Sequence, residues 1–233
     1  MMRPAVTLFG HWICPYSVRV EFALAQREID YTLIDVPPTA ARPVAYVVPS
    51  EFLDNSPRGE IPLLRIGDQY RADSIPILHW LEDEFASHPL RPRDVVGRAV
   101  VDDRVAWLDA ELYSAMIGVY YGTDPTRIAA ASLAMQKALE TMASWCSSNA
   151  FLAGDEPTLA DVIAISTYVR LPALRQLGFD GEIPKEIERH IEACARLEGW
   201  SAVSWSDQQC EELVSRFSTY RRRHLRDGAP RVE

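Results

Sequence analysis

Cysteine is scarce in this chain and never paired. Its four thiols, Cys14, Cys146, Cys194 and Cys210, are spread over 233 residues. None sits at the close spacing of a metal knuckle or a disulfide framework. No metal site is expected, and reduced thiols in a cytoplasmic protein fit best. Excess positive charge is missing too. The net charge is −9, which argues against nucleic acid as a partner of the protein body. No apolar run approaches the ~20 residues needed to span a bilayer. The opening Met1-Met2-Arg3-Pro4 leads straight into a strand-like segment, without the apolar core of a signal peptide. Internal repeats and low-complexity tracts are lacking as well. What is present is globular: 48% hydrophobic and 24% charged residues, in a length that suits one large domain or two small ones.

The first third mixes strands and helices. Val6 to Gly10 reads as a buried strand and Pro15 to about Glu28 as a helix, with Val18, Phe22 and Ala25 on one face. Tyr31 to Val36 is rich in β-formers. A βαβ unit of this spacing predicts parallel strands with a right-handed crossover. Pro37 to Pro57 is irregular and holds five prolines. At most a short helix fits around Ser50 to Asp54, with Ser50 as a possible N-cap. Such a stretch is a functional rim or a plain surface excursion. Gly59 to Ile66 gives a third strand opened by Pro62, a place where a sheet tolerates proline. Gly67-Asp68 turns it into a short fourth strand, Gln69 to Ala72. Asp73-Ser74 then cap a helix from about Ile75 to Phe85.

Everything after His88 to Asp94 reads as helix. Val101, Val105, Leu108, Leu112, Met116 and Val119 share one face, as do Met135, Leu139, Met142 and Cys146. Thr158-Leu159-Ala160-Asp161 has the pattern of a capping box. Further helices fit Pro184 to Leu197 and Ser206 to Arg223. Arg221-Arg222-Arg223-His224-Leu225-Arg226 reads as a solvated helix end whose cations suit the C-terminal dipole, with an anionic partner as the alternative. The expected domains are 1–86, a linker at 87–93, and a helical domain at 94–233.

The chemistry concentrates at Gly10-His11-Trp12-Ile13-Cys14-Pro15-Tyr16-Ser17. Pro15 suits the first helical position, where its missing N–H costs nothing. Cys14 then falls at or beside the N-cap. A thiolate there meets unpaired backbone N–H groups and the positive end of the helix dipole. The alternative is a small buried side chain without chemistry. Cys146, Cys194 and Cys210 lie in helical patterns and read as core or surface thiols without a chemical role. His11 is near in sequence, but the helix terminus alone can favour the thiolate, so a base at His11 is not needed.

Several segments together resemble the cytosolic glutathione transferase family. Asn55-Ser56-Pro57-Arg58-Gly59-Glu60-Ile61-Pro62-Leu63-Leu64 looks like its N-P-x-G-x-[VI]-P-x-L stretch with Ser56 inserted. Asp73-Ser74-Ile75 with Leu78, Trp80 and Leu81 looks like its [EQD]-S-x-x-I-x-x-Y-L segment. Gly154-Asp155 through Asp161 looks like its G-x-x-x-[ST]-x-A-D element. Cys14-Pro15-Tyr16-Ser17 is similar to the C-P-[FY]-[CSA] segment of the cysteine-type branch, the omega-class and dehydroascorbate reductase-like members.

The resemblance implies a thioredoxin-like α/β domain followed by an all-α domain, acting as an enzyme on glutathione as co-substrate. Cys14 would be catalytic. Asp73 and Ser74 would take the γ-glutamyl end, unless both only cap the helix. Ile61, before a cis Pro62, would pair its backbone with the cysteinyl part, and Arg58 would reach the glycyl carboxylate or stay exposed. Trp12, Tyr16, Tyr120 and Tyr121 would line the pocket of an electrophilic or disulfide acceptor, whereas Met116 belongs to the packing stripe. Ser17 in place of a second cysteine leaves a one-thiol cycle. A homodimer is implied. A conjugating or dehalogenase-like transferase and a non-catalytic binding protein are the alternatives.

Overall fold

A computed structural model of the chain describes residues 4–226. Residues 1–3 and 227–233, which the expected outer domains include, lie outside it. The side chains of Leu225 and Arg226 in the basic segment do so as well.

The elements of the first compact unit are β1 (Val6–Gly10), α1 (Pro15–Gln26), β2 (Thr32–Asp35), α2 (Ser50–Asn55), β3 (Leu63–Ile66), β4 (Gln69–Ala72) and α3 (Ser74–Glu84). Their sheet order is β2-β1-β3-β4. β1 pairs in parallel with β2, placing Gly10 opposite Asp35, and antiparallel with β3, placing Phe9 opposite Leu63. β3 and β4 form the expected hairpin. β1 is buried along its whole length, which is why it reads as an unbroken apolar run, while β2 is a short, mostly exposed edge. Two boundaries differ from expectation. Pro49, not Ser50, occupies the N-cap of α2, because its extended ψ ends the preceding loop. β3 starts after Pro62 rather than at Gly59, since the ladder begins at the Phe9–Leu63 pair.

α1 is buried around most of its circumference from Ser17 to Leu24, and one face of α3 (Ile77, Leu78, Trp80, Leu81) is buried. Each Val, Leu, Ile or Phe among them contributes about 1.5–3 kcal/mol of transfer free energy. Behind α1, the buried guanidinium of Arg27 pairs with Glu82 and also donates to the carbonyls of Leu81 (3.1 Å) and Phe85 at the end of α3. A cation at a helix C-terminus meets the negative end of the dipole. Desolvation pushes the Arg27 and Glu82 titrations toward their neutral forms, and their mutual attraction opposes that push. The unit runs up to Pro92 and also includes Arg196–Val203, an addition the sequence pattern did not suggest.

The second unit is all helical: α4 (Val95–Trp107), α5 (Tyr113–Tyr121), α6 (Pro125–Trp145), α7 (Leu159–Tyr168), α8 (Leu171–Gln176), α9 (Lys185–Cys194) and α11 (Asp207–Arg226). The short α10 (Trp200–Val203) lies in the first unit. A widened π turn at Leu108–Leu112 joins α4 to α5. The stripe Val101, Val105, Leu108, Leu112, Met116 and Val119 stays buried through it. The capping box at Thr158 and Asp161 is formed. Asp161 also accepts the Leu152 N–H at 2.8 Å and pairs with His190 Nε2 at 2.8 Å, while His190 Nδ1 meets the Tyr168 hydroxyl at 2.8 Å. Every group in this knot is buried, so each must have its partner.

Candidate functional site

The strand-to-helix turn places Cys14 at the N-cap of α1, in extended backbone (φ −83°, ψ 116°), with Pro15 beginning the helix. The Cys14 N–H donates to the His11 carbonyl at 3.0 Å, and the Val18 N–H donates to the Cys14 carbonyl at 3.1 Å. Its thiol caps no backbone amide. The residue is 7% exposed and packs with Phe9, Val36, Phe52, Ile61 and Leu63, and Tyr16 lies against the same cluster. The thiol lies within weak hydrogen-bonding reach of the Ile61 carbonyl, with Sγ 3.9 Å from the oxygen. Two of the expected residues, 47 positions apart, are therefore neighbours. Ile61 precedes a cis peptide bond to Pro62 and lies before the β3 ladder.

Asp73 and Ser74 stand where β4 passes into α3. Asp73 occupies the N-cap with φ 69°, and its side chain makes no capping bond. Its carboxylate is instead hydrogen-bonded to Arg58. The second nitrogen of that fork, Arg58 Nε, donates to Glu60 at 3.0 Å. Both carboxylates favour the charged guanidinium and push its titration up. Ser74 is buried, and Arg19 Nη1 approaches its hydroxyl at 3.5 Å. The Arg19 guanidinium lies 4.8 Å from the Tyr16 ring centroid. Arg19 was missed in the sequence. The available signal was a cation flanked by Val18 and Val20 on a helix that buries both.

Trp12 stacks beside His11 at 5.6 Å between ring centroids. Tyr120 and Tyr121 belong to the helical unit. Tyr120 is 2% exposed, its ring stacked on Phe217 at 4.6 Å, and burial pushes its phenol titration up. It serves packing there rather than presenting a free face. Tyr121 is exposed and meets Phe217 and Tyr220 edge-on. Of the basic segment, Arg221 is occupied, donating to the carbonyls of Val119 and Tyr120. Among the described residues, no group of three His, Cys, Asp or Glu is placed to hold a metal ion. Among those residues no helix is long and apolar enough to cross a membrane.

A four-stranded mixed sheet of thioredoxin type, with a thiol at the N-terminus of its first helix and an all-helical unit beside it in sequence, defines a two-domain glutathione transferase fold. Residues 8–89 match the family model described as glutathione S-transferase, N-terminal domain. A relative named probable maleylacetoacetate isomerase 1 of Drosophila melanogaster is 32% identical over 100 residues, covering 42% of this chain and 39% of that protein. A zeta-class glutathione S-transferase of Euphorbia esula is 30% identical over 98 residues, covering 42% of each. The chain thus spans about two fifths of the length of these relatives. The fold extends further. A crystal structure of rice GST1 in complex with glutathione superposes with a TM-score of 0.82 at 17% identity, over 96% of this chain and 99% of that one.

Proposed function

We propose that the chain is a glutathione-dependent thiol transferase or reductase of the cysteine-type branch, with Cys14 as its nucleophile. The observation that carries this reading is the Cys14 thiol at the α1 N-terminus, 3.9 Å from the Ile61 carbonyl. The residues present suit the tripeptide. Ile61 lies before the β3 ladder, which leaves its backbone for the cysteinyl part of the substrate. Ser74, the first residue of α3, offers a hydroxyl and a helix N-terminus to the α-carboxylate. Asp73, free of capping duty, offers its charge to the α-ammonium.

The chemistry then follows one thiol. The Cys14 thiolate attacks the glutathione sulfur of a mixed disulfide. A bond forms between Cys14 Sγ and that sulfur, the old S–S bond breaks, and the acceptor leaves as a thiolate that takes up a proton. A second glutathione, as thiolate, attacks the glutathione sulfur bound to Cys14 and leaves as glutathione disulfide, returning Cys14. The sum is one mixed disulfide and one glutathione thiol converted to the free acceptor thiol and one glutathione disulfide. Ser17, in the position of a resolving cysteine, is buried and supports this one-thiol cycle. The acceptor is a small disulfide or electrophile, and the working form is a cytoplasmic homodimer.

The names of the relatives favour a second reading, a glutathione-dependent isomerase of the zeta type. One experiment separates the two. The wild type and Cys14→Ser are incubated with glutathione disulfide and weighed intact, and both are passed over immobilised glutathione. A single adduct on the wild type alone supports the thiol transferase. Retention without an adduct points to isomerase or conjugating chemistry. Neither adduct nor retention sinks the enzymatic readings and leaves a binding protein.

A further inference from the structure

The turn that delivers Cys14 is tied twice to one residue. The His11 carbonyl accepts the Cys14 N–H at 3.0 Å, and His11 Nδ1 accepts the Ile13 N–H at 3.1 Å. A neutral imidazole that accepts at Nδ1 carries its proton on Nε2. That nitrogen faces the Asp35 carboxylate at 3.8 Å, and the His11 side chain is 11% exposed. Asp35 is itself held in place. It ends β2, its carbonyl accepts the Tyr46 hydroxyl at 2.6 Å, and the next residue, Val36, donates its N–H to Gly10 at 2.9 Å. The ring is therefore braced from β2 on one side while it grips the turn on the other.

We propose that His11 is a positioning residue for Cys14: its neutral ring takes the Ile13 amide and so locks the 11–14 turn that holds the thiol at the α1 N-terminus. This rests on the reading of Cys14 as the reacting group. It gives His11 a task other than that of a base. Nδ1 is engaged by the Ile13 amide, and Nε2 lies 3.8 Å from Asp35.

The lock is built to open in acid. An imidazolium has donors on both nitrogens and no acceptor, so the Ile13 amide loses this acceptor once the ring is protonated. The Asp35 carboxylate stands 3.8 Å from the other ring nitrogen in either state.

Asparagine places an acceptor oxygen where Nδ1 stands, and alanine places none. The test uses the wild type, His11→Asn, His11→Ala and Cys14→Ser. It reads two quantities, the protection of the Ile13 amide from hydrogen exchange by NMR and the alkylation of Cys14 by iodoacetamide. In His11→Ala, Ile13 protection falls and Cys14 alkylation slows about two- to tenfold, the range of one net hydrogen bond. His11→Asn restores both. On acidification, the wild type loses Ile13 protection and His11→Asn keeps it. Equal protection and rates in the wild type and His11→Ala overturn the proposal, as does failure of His11→Asn to restore them while its thermal melt matches the wild type. If Cys14 is no more labelled in the wild type than the background in Cys14→Ser, the thiol-transferase reading fails, and Ile13 exchange alone still judges the lock.

Discussion

The Arg58 guanidinium is hydrogen-bonded to the Asp73 carboxylate, so two residues expected at opposite ends of a bound tripeptide are partners of each other. Both side chains are half exposed or more, at 62% and 50%, and such a pair exchanges readily with a competing ion. On the proposed reading, the α-ammonium of glutathione has to displace Arg58 from Asp73, and the displaced guanidinium keeps Glu60. Asp73→Asn should raise the glutathione dissociation constant about tenfold, the low end for a charge-assisted hydrogen bond. Arg58→Gln removes both a competitor and a cation, and these effects oppose each other. Its shift should stay within about threefold. Isothermal titration with glutathione checks both. A larger loss in Arg58→Gln than in Asp73→Asn would return Arg58 to the glycyl carboxylate.

The four cysteines should divide sharply in reactivity. Burial pushes the Cys146 thiol up to about 12, Cys194 well above its ordinary value, and Cys210 upward. Burial disfavours the thiolate, so the charged nucleophile appears only as pH rises through these raised values. At neutral pH the folded protein should take up one equivalent of iodoacetamide, at Cys14, and the Cys14→Ser variant none. In denaturant, the counts should become four and three. Peptide mapping that finds Cys146 or Cys194 labelled in the native state at neutral pH would contradict the buried network around Asp161.

The parts of this structure that were legible in the sequence are those set by local chemistry. Pro15 fixes the start of α1, the capping box fixes that of α7, and the alternation of Val6–Gly10 and Thr32–Asp35 with α1 fixes the parallel pair. The neighbourhood of Cys14 and Ile61 was legible too, since each sits in a short motif and the fold brings the two within 3.9 Å. What escaped depends on contacts distant in sequence or on one unusual torsion. Asp73 has the residue type of a cap, but at φ 69° its side chain turns to Arg58. Tyr120 carries the polarity of a pocket residue, but Phe217 covers it, 97 positions later on α11 by the numbering. His190 carries no pattern of its own, because its partners Asp161 and Tyr168 lie on another helix.

Asp161 shows how much rests on one such contact. Its two oxygens serve Thr158 N (2.7 Å), Thr158 Oγ1 (3.0 Å), Leu152 N (2.8 Å) and His190 Nε2 (2.8 Å), all buried. Asp161→Ala leaves several buried polar groups without partners and should cost about 3–5 kcal/mol. Thr158→Ala removes only the cap hydroxyl and should cost about 1 kcal/mol. Thermal unfolding by circular dichroism checks the ranking. Equal shifts for the two variants would mean that Asp161 acts as a helix cap alone and that the His190 contact adds nothing.

Gly199 tests the placement of Arg196–Val203 in the first unit. A Cβ there would lie 2.6 Å from the Phe22 carbonyl oxygen and 2.9 Å from the Phe22 ring, and that backbone oxygen has little freedom to move aside. The Gly199 N–H also donates to Gln26 Oε1 at 3.2 Å, a bond that spans 173 positions. Gly199→Ala must therefore lift the segment off α1, at a cost of about 1–3 kcal/mol. Hydrogen exchange should quicken in two places at once, in residues 196–203 and in the Phe22 to Gln26 end of α1. Cys14 sits at the opposite end of that helix, where the turn and His11 hold it independently, so its alkylation rate should stay within about twofold of the wild type. Faster exchange confined to 196–203 would show that the segment rides on α1 without supporting it.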